Sequence, residues 1–153
     1  MSIDFEQARV KMVDNQIRTT DVTSHAVLSA FLSVAREDFV PSDARALAYI
    51  DDDIEISDGS DGQQARFLME PSPLGKLLQL ADVRKNDVVL EIGCGSGYVS
   101  ALLSLLADSV VALESNEALA TRAGETLSRL GYDNVAVVTG PLQEGYKPEA
   151  PYD

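Results

Sequence analysis

Three glycines at alternate positions, flanked by two acidic residues, form the stretch of this sequence best suited to chemistry. Gly93, Gly95 and Gly97 follow a short apolar run that contains Glu91. Glycine lets the chain turn tightly and lets a ligand approach bare backbone. A second acid, Glu114, stands 21 residues after Gly93 at the end of another apolar run. Its carboxylate can accept hydrogen bonds from both hydroxyls of a ribose, so the combination predicts a nucleotide site.

The spacing of the glycines distinguishes between kinds of nucleotide. A dinucleotide fingerprint, Gly-x-Gly-x-x-Gly, would need glycine at position 98, which is Tyr98. The pattern present, Glu-x-Gly-x-Gly-x-Gly, resembles motif I of the S-adenosylmethionine-dependent methyltransferases. That resemblance implies S-adenosylmethionine as cofactor, approached through the backbone of Gly93, Cys94 and Gly95, with Gly97 also in the cofactor site and Glu114 on the ribose. A glycine-rich turn in another α/β protein is the alternative.

Hydrophobic periodicity predicts the elements that would position this loop. Three apolar runs predict strands, at 88–92, 110–113 and 134–138. Helical spacing predicts helices at 74–81 and 99–107, and a third that Asn116 caps and Gly131 ends. The order β-α-β-α-β is half of a doubly wound, Rossmann-like α/β sheet. Right-handed crossovers in such a sheet place a ligand at the carboxyl ends of the strands.

The first 50 residues are predicted to be a helical region. Apolar residues recur at helical spacing around Met12 and around Phe31, with a polar link at 12–18 between the two helices. Residues 19–21 are expected to cap the second helix, and residues 38–41 are expected to end it.

Four blocks in this helical region narrow the family that the sequence resembles. They are Ala-Arg at 8–9, Met-Val-Asp-Asn-Gln-Ile-Arg at 12–18, Val-Leu at 27–28 and Arg-Glu-Asp-Phe-Val-Pro at 36–41. They are similar to the N-terminal region of the protein-L-isoaspartate O-methyltransferases, although Ala35 stands where that family usually has proline. The resemblance implies the methyltransferase fold and transfer of a methyl group to the carboxylate of isoaspartyl residues in damaged proteins.

An acidic loop and a substrate-site segment are predicted at 51–70, between the helical region and a partial Rossmann-like domain at 71–153. Between positions 51 and 61 the loop holds six acidic residues and no Lys or Arg: Asp51, Asp52, Asp53, Glu55, Asp58 and Asp61. A solvated loop is favoured over a hard-cation site, because the run lacks the fixed glycine and terminal glutamate of a calcium loop. No metal is therefore expected. Ile54 and Ile56 alternate with Glu55 and predict a short edge strand.

Two positions depart from the family pattern. Aligned on the proline of the family's Ser-x-Pro, Met69 stands where the family has its active-site serine, so no catalytic residue is assigned, and Ser72 is a stand-in at the wrong spacing. After the third strand the family usually has Gly-Asp-Gly, whereas this chain has Gly-Pro-Leu. Pro141 has neither N–H nor carboxylate, which leaves apolar packing, with Leu142 as the candidate, or a backbone carbonyl to contact adenine.

Four further side chains are candidates for chemistry. Cys94 could be a thiolate nucleophile, but no His is near it in sequence and the loop requires a small residue there. His25 is interpreted as a packed or surface residue. Glu91 is expected to orient the loop or the cationic amino end of the cofactor rather than to act as a base. Tyr98 belongs either to the core or beside the methionine moiety, and both interpretations stay open.

Charge and composition restrict the partners. With 25 acidic and 12 basic residues, the formal net charge is −13, which argues against nucleic acid and anionic membrane as partners. Cys94 is the only cysteine, so no intrachain disulfide can form. The N-terminus lacks the pattern of a signal peptide, and no apolar stretch approaches the roughly 20 residues of a membrane span. A cytoplasmic location is expected.

The chain stops where the fourth strand of a methyltransferase fold would begin. We therefore expect a truncated or proteolysed fragment, whose half sheet would expose an apolar edge through which it could self-associate. The predicted function is methyl transfer to isoaspartyl residues of a protein or peptide substrate. The alternatives are a cofactor-binding or interaction protein of the same fold that has lost this activity, and a methyltransferase with another substrate.

Overall fold

A computed structural model describes residues 2–60 and 62–153. This part of the chain contains five α-helices: α1 (Phe5–Met12), α2 (His25–Ser33), α3 (Pro71–Ala81), α4 (Tyr98–Leu106) and α5 (Glu117–Arg129). It contains five strands: β1 (Ile54–Ser57), β2 (Arg66–Leu68), β3 (Val88–Ile92), β4 (Ser109–Glu114) and β5 (Val135–Thr139). Short 3₁₀ or π turns lie at Val13–Ile17, Arg18–Thr20, Arg36–Phe39, Ser42–Leu47, Leu142–Glu144 and Lys147–Glu149.

A three-stranded parallel sheet carries the second half of the chain. Its order is β3-β4-β5, and α4 and α5 connect the strands, which confirms the predicted β-α-β-α-β order. The register pairs Ile92 with Leu113 and Glu114 with Thr139. The carboxyl ends of the three strands therefore lie side by side, at the edge where a parallel sheet binds its ligand.

Local capping explains where the two connecting helices begin and end. The side chain of Asn116 accepts a hydrogen bond from the N–H of Leu119 at 3.1 Å, as a capping residue should. Gly131, at φ +83°, follows the end of α5 and adopts the left-handed conformation common there. Both assignments confirm the sequence-based expectation. Helix α4 begins at Tyr98, one residue earlier than predicted, because Gly97 at φ +96° turns the chain into it.

The N-terminal region is helical as predicted, but residues 12–18 do not form a link between two helices. Val13–Ile17 continues α1 as a π-helix, and Arg18–Thr20 follows as a 3₁₀ turn. Val13 and Ile17 are fully buried, so the core holds this polar stretch in a helical conformation.

The predicted boundaries of α2 were wrong at both ends. Asp21 is left-handed, at φ +64°, and ends the preceding turn, while Ser24 caps α2 by accepting a hydrogen bond from the N–H of Val27 at 3.3 Å. The helix ends at Ser33, because Val34 is extended. Residues 38–41 instead include the end of the separate turn Arg36–Phe39.

A two-stranded antiparallel hairpin lies between the helical region and the sheet. Ile54 of β1 pairs with Leu68 of β2, and both are buried, while Glu55 is exposed. The predicted strand around Ile54 and Ile56 is therefore confirmed, and β2 is its partner. The predicted acidic loop continues beyond β1, and Asp61 lies outside the described residues.

The core joins the helical region to the sheet. The ring of Tyr98, fully buried at the start of α4, lies 6.5 Å from the ring of Phe31 and 5.8 Å from that of Phe39. The guanidinium of Arg36, also fully buried, lies 4.9 Å from the centre of the Tyr98 ring. Aromatic and cation–π contacts of this kind stabilise a buried arginine that water no longer solvates.

The last residue lies beside β3. The N–H of Asp153 donates to the carbonyl of Val88 at 3.0 Å, and the Asp153 carboxylate accepts from the Val88 N–H at 2.9 Å. Ile92, at the other end of β3, is 57% exposed. Within residues 2–60 and 62–153, no helix combines the length and the apolarity needed to cross a bilayer. The division of the chain at residues 50 and 70 stays a prediction.

Candidate functional site

The glycine loop joins β3 to α4 and is fixed to the neighbouring strand. The N–H groups of Gly93 and Cys94 both donate to the carbonyl of Leu113, at 2.8 and 3.1 Å. The N–H of Gly97 donates to the carbonyl of Cys94 at 3.0 Å and closes a tight turn. The loop is therefore held at the carboxyl end of β4, next to Glu114.

Glu114 is fully buried and accepts four hydrogen bonds. Its Oε1 accepts from the Gly95 N–H at 2.8 Å and from Nη2 of Arg66 at 2.7 Å. Its Oε2 accepts from the Asn116 N–H at 2.9 Å and from Nη1 of Arg66 at 2.7 Å. A carboxylate has about four lone-pair sites, so all of them are used.

These contacts keep Glu114 ionised. Burial alone would raise the pKa of Glu114, but the Arg66 guanidinium and the two backbone N–H groups outweigh burial and hold that pKa below its ordinary value. The hydrogen bond to Glu114 in turn raises the pKa of Arg66. Glu114 is therefore a charged carboxylate at the end of β4 whose acceptor positions are filled by Arg66 and two backbone N–H groups.

The bare face of Gly93 points toward Arg66 and Leu142. Gly93 has φ +83°, and a Cβ added to it would lie 3.5 Å from Nη2 of Arg66 and 3.7 Å from Cδ1 of Leu142. Leu142 follows β5 and is partly buried, so it supplies an apolar wall beside the loop. Gly93, Glu114 and Leu142, all predicted to contact the cofactor, are thus brought to one place.

The other two glycines face protein. A Cβ on Gly95 would lie 2.8 Å from Cδ1 of Ile56, on the hairpin. A Cβ on Gly97 would lie 3.1 Å from Cδ1 of Leu127 and 3.4 Å from Cβ of Ala123, both on α5. Close packing of the hairpin and of α5 therefore explains why these two positions are glycine, and their predicted contact with a cofactor stays a prediction.

Glu91 contacts the helix that follows the loop. The hydroxyl of Ser100, on α4, donates to its Oε1. Burial raises the pKa of Glu91 to about 7 against the effect of this hydrogen bond, and the nearby charge of Glu114 adds to the rise. This contact is with the helix that follows the loop, and the two roles expected for Glu91, orienting the loop or the cationic end of the cofactor, stay predictions.

The environments of Cys94, Tyr98 and His25 do not suit them for chemistry. Burial, and then the charges of Glu91 and Glu114, raise the pKa of the Cys94 thiol to about 12, so it is not a thiolate at neutral pH. Tyr98 lies in the core, and His25 is exposed at the start of α2. Among the described residues, no group of three or more His, Cys, Asp or Glu is arranged to hold a metal ion.

The predicted substrate-site segment contains Arg66, the residue that covers Glu114, and extends past Met69. Met69 follows β2 and is 40% exposed, and its carbonyl accepts a hydrogen bond from Nη2 of the buried Arg36 at 3.0 Å. The Ser72 hydroxyl lies 2.8 Å from the carbonyl of Gln16 and 3.0 Å from the carboxylate of Asp51. Its single proton is therefore shared between these acceptors.

A cavity of about 740 Å³ adjoins the site on the hairpin side. Its lining runs from 41 to 60 and from 116 to 122, and includes the carboxylates of Asp43, Asp53, Glu55 and Asp58 together with Arg122. The glycine loop and Glu114 do not line this cavity. It is therefore a neighbouring surface rather than the predicted nucleotide site.

Arg66, the side-chain partner of Glu114, is the residue of this cluster that sequence reasoning missed. Its partner lies 48 positions away, on another element, and no spacing rule connects the two. The one feature of the sequence that could have drawn attention to Arg66 is its position, after a run of six acidic residues and three residues before Met69.

Comparisons with known proteins show which family the chain resembles. The family model for protein-L-isoaspartate(D-aspartate) O-methyltransferase (PCMT) matches residues 7–153. A protein-L-isoaspartate O-methyltransferase of Petrotoga mobilis is 40% identical over 147 residues, which are 96% of this chain and 66% of that protein. The chain thus spans about two thirds of the length of the curated relatives that it matches.

Solved structures resemble the fold over almost the whole chain. A structure of a protein-L-isoaspartate O-methyltransferase superposes with a TM-score of 0.82 at 29% identity, covering 95% of this chain and 46% of that one. A Plasmodium falciparum protein in complex with S-adenosyl-L-homocysteine superposes with a TM-score of 0.72 at 17% identity, covering 97% and 68% of the two chains. The latter likeness concerns the fold alone.

The parallel sheet, the glycine loop and these neighbours define a Rossmann-like methyltransferase fold. The family follows from the match over residues 7–153 and from the identity of the relatives. This chain belongs to the protein-L-isoaspartate O-methyltransferase family.

Proposed function

We propose that this chain binds S-adenosylmethionine and takes part in methyl transfer to the free carboxylate of isoaspartyl residues in proteins. The observation that carries the proposal is that the ionised Glu114 and the bare face of Gly93 lie around the same Arg66 guanidinium, in a chain of this family. The structure in complex with S-adenosylhomocysteine belongs to a protein of the same fold and supports the choice of cofactor.

The residues of the site fit the parts of such a cofactor. Glu114 can accept hydrogen bonds from two ribose hydroxyls once the Arg66 guanidinium moves away from its carboxylate. Gly93 offers backbone without a side chain, which a nucleoside can approach closely. Leu142 provides an apolar surface for the adenine, as expected from the sequence, since Pro141 lacks an N–H.

The protein contributes to this reaction chiefly by positioning. When bound, S-adenosylmethionine supplies a methyl group on a good leaving group, the sulfonium. The substrate carboxylate is already a nucleophile, so no general base is needed to create it, and holding the two reactants in line supplies most of the acceleration. The fixed glycine loop and Glu114 would orient the cofactor, and the segment from Arg66 to Met69 would face the acceptor.

The substituted serine favours a second candidate. Met69 has a thioether where the family has a hydroxyl, and the Ser72 hydroxyl lies against Gln16 and Asp51. A thioether hardly hydrogen-bonds. A member of this fold that binds the cofactor but methylates another acceptor, or none, is therefore the alternative to isoaspartyl methyl transfer.

One experiment separates these candidates. The protein is incubated with methyl-labelled S-adenosylmethionine and an isoaspartyl peptide, beside the matched peptide with a normal aspartyl residue. Base-labile label in the isoaspartyl peptide alone is the expected result. Binding of S-adenosylhomocysteine without any labelling would move the assignment to the second candidate, and absence of both would reject the cofactor assignment.

We also propose a cytoplasmic location and a protein or peptide substrate, without nucleic acid or membrane as partner. The net charge of −13 supports both exclusions, because anionic partners would be repelled. Self-association through the β3 edge is a further proposal, supported by the exposure of Ile92. A monomeric mass in sedimentation at high concentration would reject it.

A further inference from the structure

The ribose-binding position predicted at Glu114 is taken by a side chain of the protein itself. The guanidinium of Arg66 forms two parallel hydrogen bonds of 2.7 Å, one to each carboxylate oxygen. A ribose with two hydroxyls would make the same pair of bonds to the same two oxygens. Because Gly95 and Asn116 use the remaining lone pairs through backbone N–H groups, no acceptor site is left for a ribose while Arg66 is in place.

A second observation concerns the space in front of the loop. Nη2 of Arg66 lies 3.5 Å from the point where a Cβ on Gly93 would stand. The guanidinium therefore also covers the bare backbone that a nucleoside would approach. Two features of the predicted cofactor site, the acceptor and the open glycine, are blocked by one group.

We propose that Arg66 is an internal competitor for the cofactor site, so that binding of S-adenosylmethionine or S-adenosylhomocysteine exchanges the Arg66–Glu114 ion pair for the ribose. This proposal rests on the cofactor assignment made above. The exchange is chemically balanced without any covalent step, because the ribose hydroxyls replace the guanidinium N–H donors. Glu114 keeps its two backbone donors throughout.

The position of Arg66 allows the exchange. Its side chain is 25% exposed whereas Glu114 is fully buried, so the guanidinium covers the carboxylate from the solvent side and can leave toward water. It stands at the start of β2, three residues before Met69. Release of Arg66 would therefore free its positive charge near Met69 only when cofactor is bound. Cofactor binding at Glu114 would in this way change the charge at the predicted substrate site.

The exchange lowers the apparent affinity for the cofactor. If the paired state holds 90% or more of the molecules, the apparent dissociation constant is about tenfold or more above that of the open state. Removal of the Arg66 guanidinium should therefore strengthen cofactor binding. If Arg66 instead contacted the cofactor directly, its removal would weaken binding.

The test is calorimetric titration of S-adenosylhomocysteine into the wild type, Arg66→Met, Arg66→Lys and Arg84→Met. Arg84 forms an exposed ion pair with Asp82 before β3, at the opposite end of the strand from the loop, so its variant controls for loss of one positive charge. We expect Arg66→Met to bind at least about tenfold more tightly, Arg66→Lys to lie between, and Arg84→Met to stay within about twofold of the wild type.

The outcomes separate this proposal from the cofactor assignment. Equal or weaker binding by a folded Arg66→Met, with the wild type still binding, would overturn the competition and leave the cofactor assignment standing. No binding by any variant would overturn both. Binding by Arg66→Met alone would mean that the pair closes the site completely and would support the proposal.

A measurement on the wild type covers the case in which Arg66→Met fails to fold. In an NMR spectrum of arginine side-chain nitrogens, a guanidinium held by two hydrogen bonds gives resolved, slowly exchanging Nη signals, and Arg66→Lys assigns those of Arg66. We expect S-adenosylhomocysteine to abolish them. Their persistence in the ligand-saturated protein would overturn the exchange.

Discussion

Gly93→Ala should weaken cofactor binding far more than it weakens the fold. Gly93 has φ +83°, and an alanine in the left-handed region costs about 1–2 kcal/mol. The added methyl would lie 3.5 Å from Arg66 and 3.7 Å from Leu142, which are ordinary contact distances. The protein itself can therefore accommodate the methyl, and the expected loss in free energy of unfolding is limited to the backbone term.

The same methyl would occupy the face that a nucleoside must approach. A close backbone contact is lost when a side chain separates ligand and chain, and we expect the affinity for S-adenosylhomocysteine to fall at least about tenfold, equivalent to about 1.4 kcal/mol. Calorimetric titration measures the affinity, and urea unfolding of the same preparations measures the stability.

Gly131→Ala is the matched control. Gly131 has the same φ of +83°, and a Cβ there would meet nothing within 4 Å. Both variants should lose about 1–2 kcal/mol of stability, but only Gly93→Ala should lose affinity. Equal affinity in the two variants would refute the assignment of the Gly93 face to the cofactor.

Three further predictions concern the loop and its surroundings. Gly97→Ala should destabilise the protein in urea unfolding by more than Gly131→Ala, because its Cβ would lie 3.1 Å from Leu127 in addition to the cost of positive φ; equal losses would contradict this packing role. Glu91 keeps its proton in the folded state up to pH about 7, against an ordinary value of 4.5. Folding therefore becomes less favourable as pH rises from 4.5 to 7, because the unfolded chain ionises Glu91 and the folded protein does not. The stability of Glu91→Gln relative to the wild type should rise by about 3 kcal/mol across that window, whereas a constant difference would contradict the shift. Burial raises the pKa of the Cys94 thiol to about 12, so alkylation of this thiol at pH 8 should be slow in the native protein and fast in urea. Fast alkylation of the native protein would instead support the hypothesis that Cys94 is a thiolate nucleophile.

Much of the sheet could be predicted because its signals are local. The apolar runs around Leu90, Val111 and Val137 give strands, and Asn116 and Gly131 mark a helix through capping chemistry that depends on a few neighbouring residues. Sequential strands usually lie next to each other, and the order β3-β4-β5 follows this tendency.

The sequence-based predictions failed where contacts between residues far apart in the chain determine the local structure. Residues 12–18 are polar along much of their length, yet the burial of Val13 and Ile17 keeps them helical. Ser24 rather than residues 19–21 caps α2, because Asp21 turns left-handed first. The Arg66–Glu114 pair joins the hairpin to the sheet, and no local pattern encodes it.

The placement of the cofactor is tested most directly by amide NMR during titration with S-adenosylhomocysteine. We expect the largest shift changes at 93–95, 114–116 and 140–142, where the three strands end. Changes confined to 41–60 and 118–122 would place the ligand in the acidic cavity beside the hairpin and would contradict the assignment of the glycine loop and Glu114 as the cofactor site.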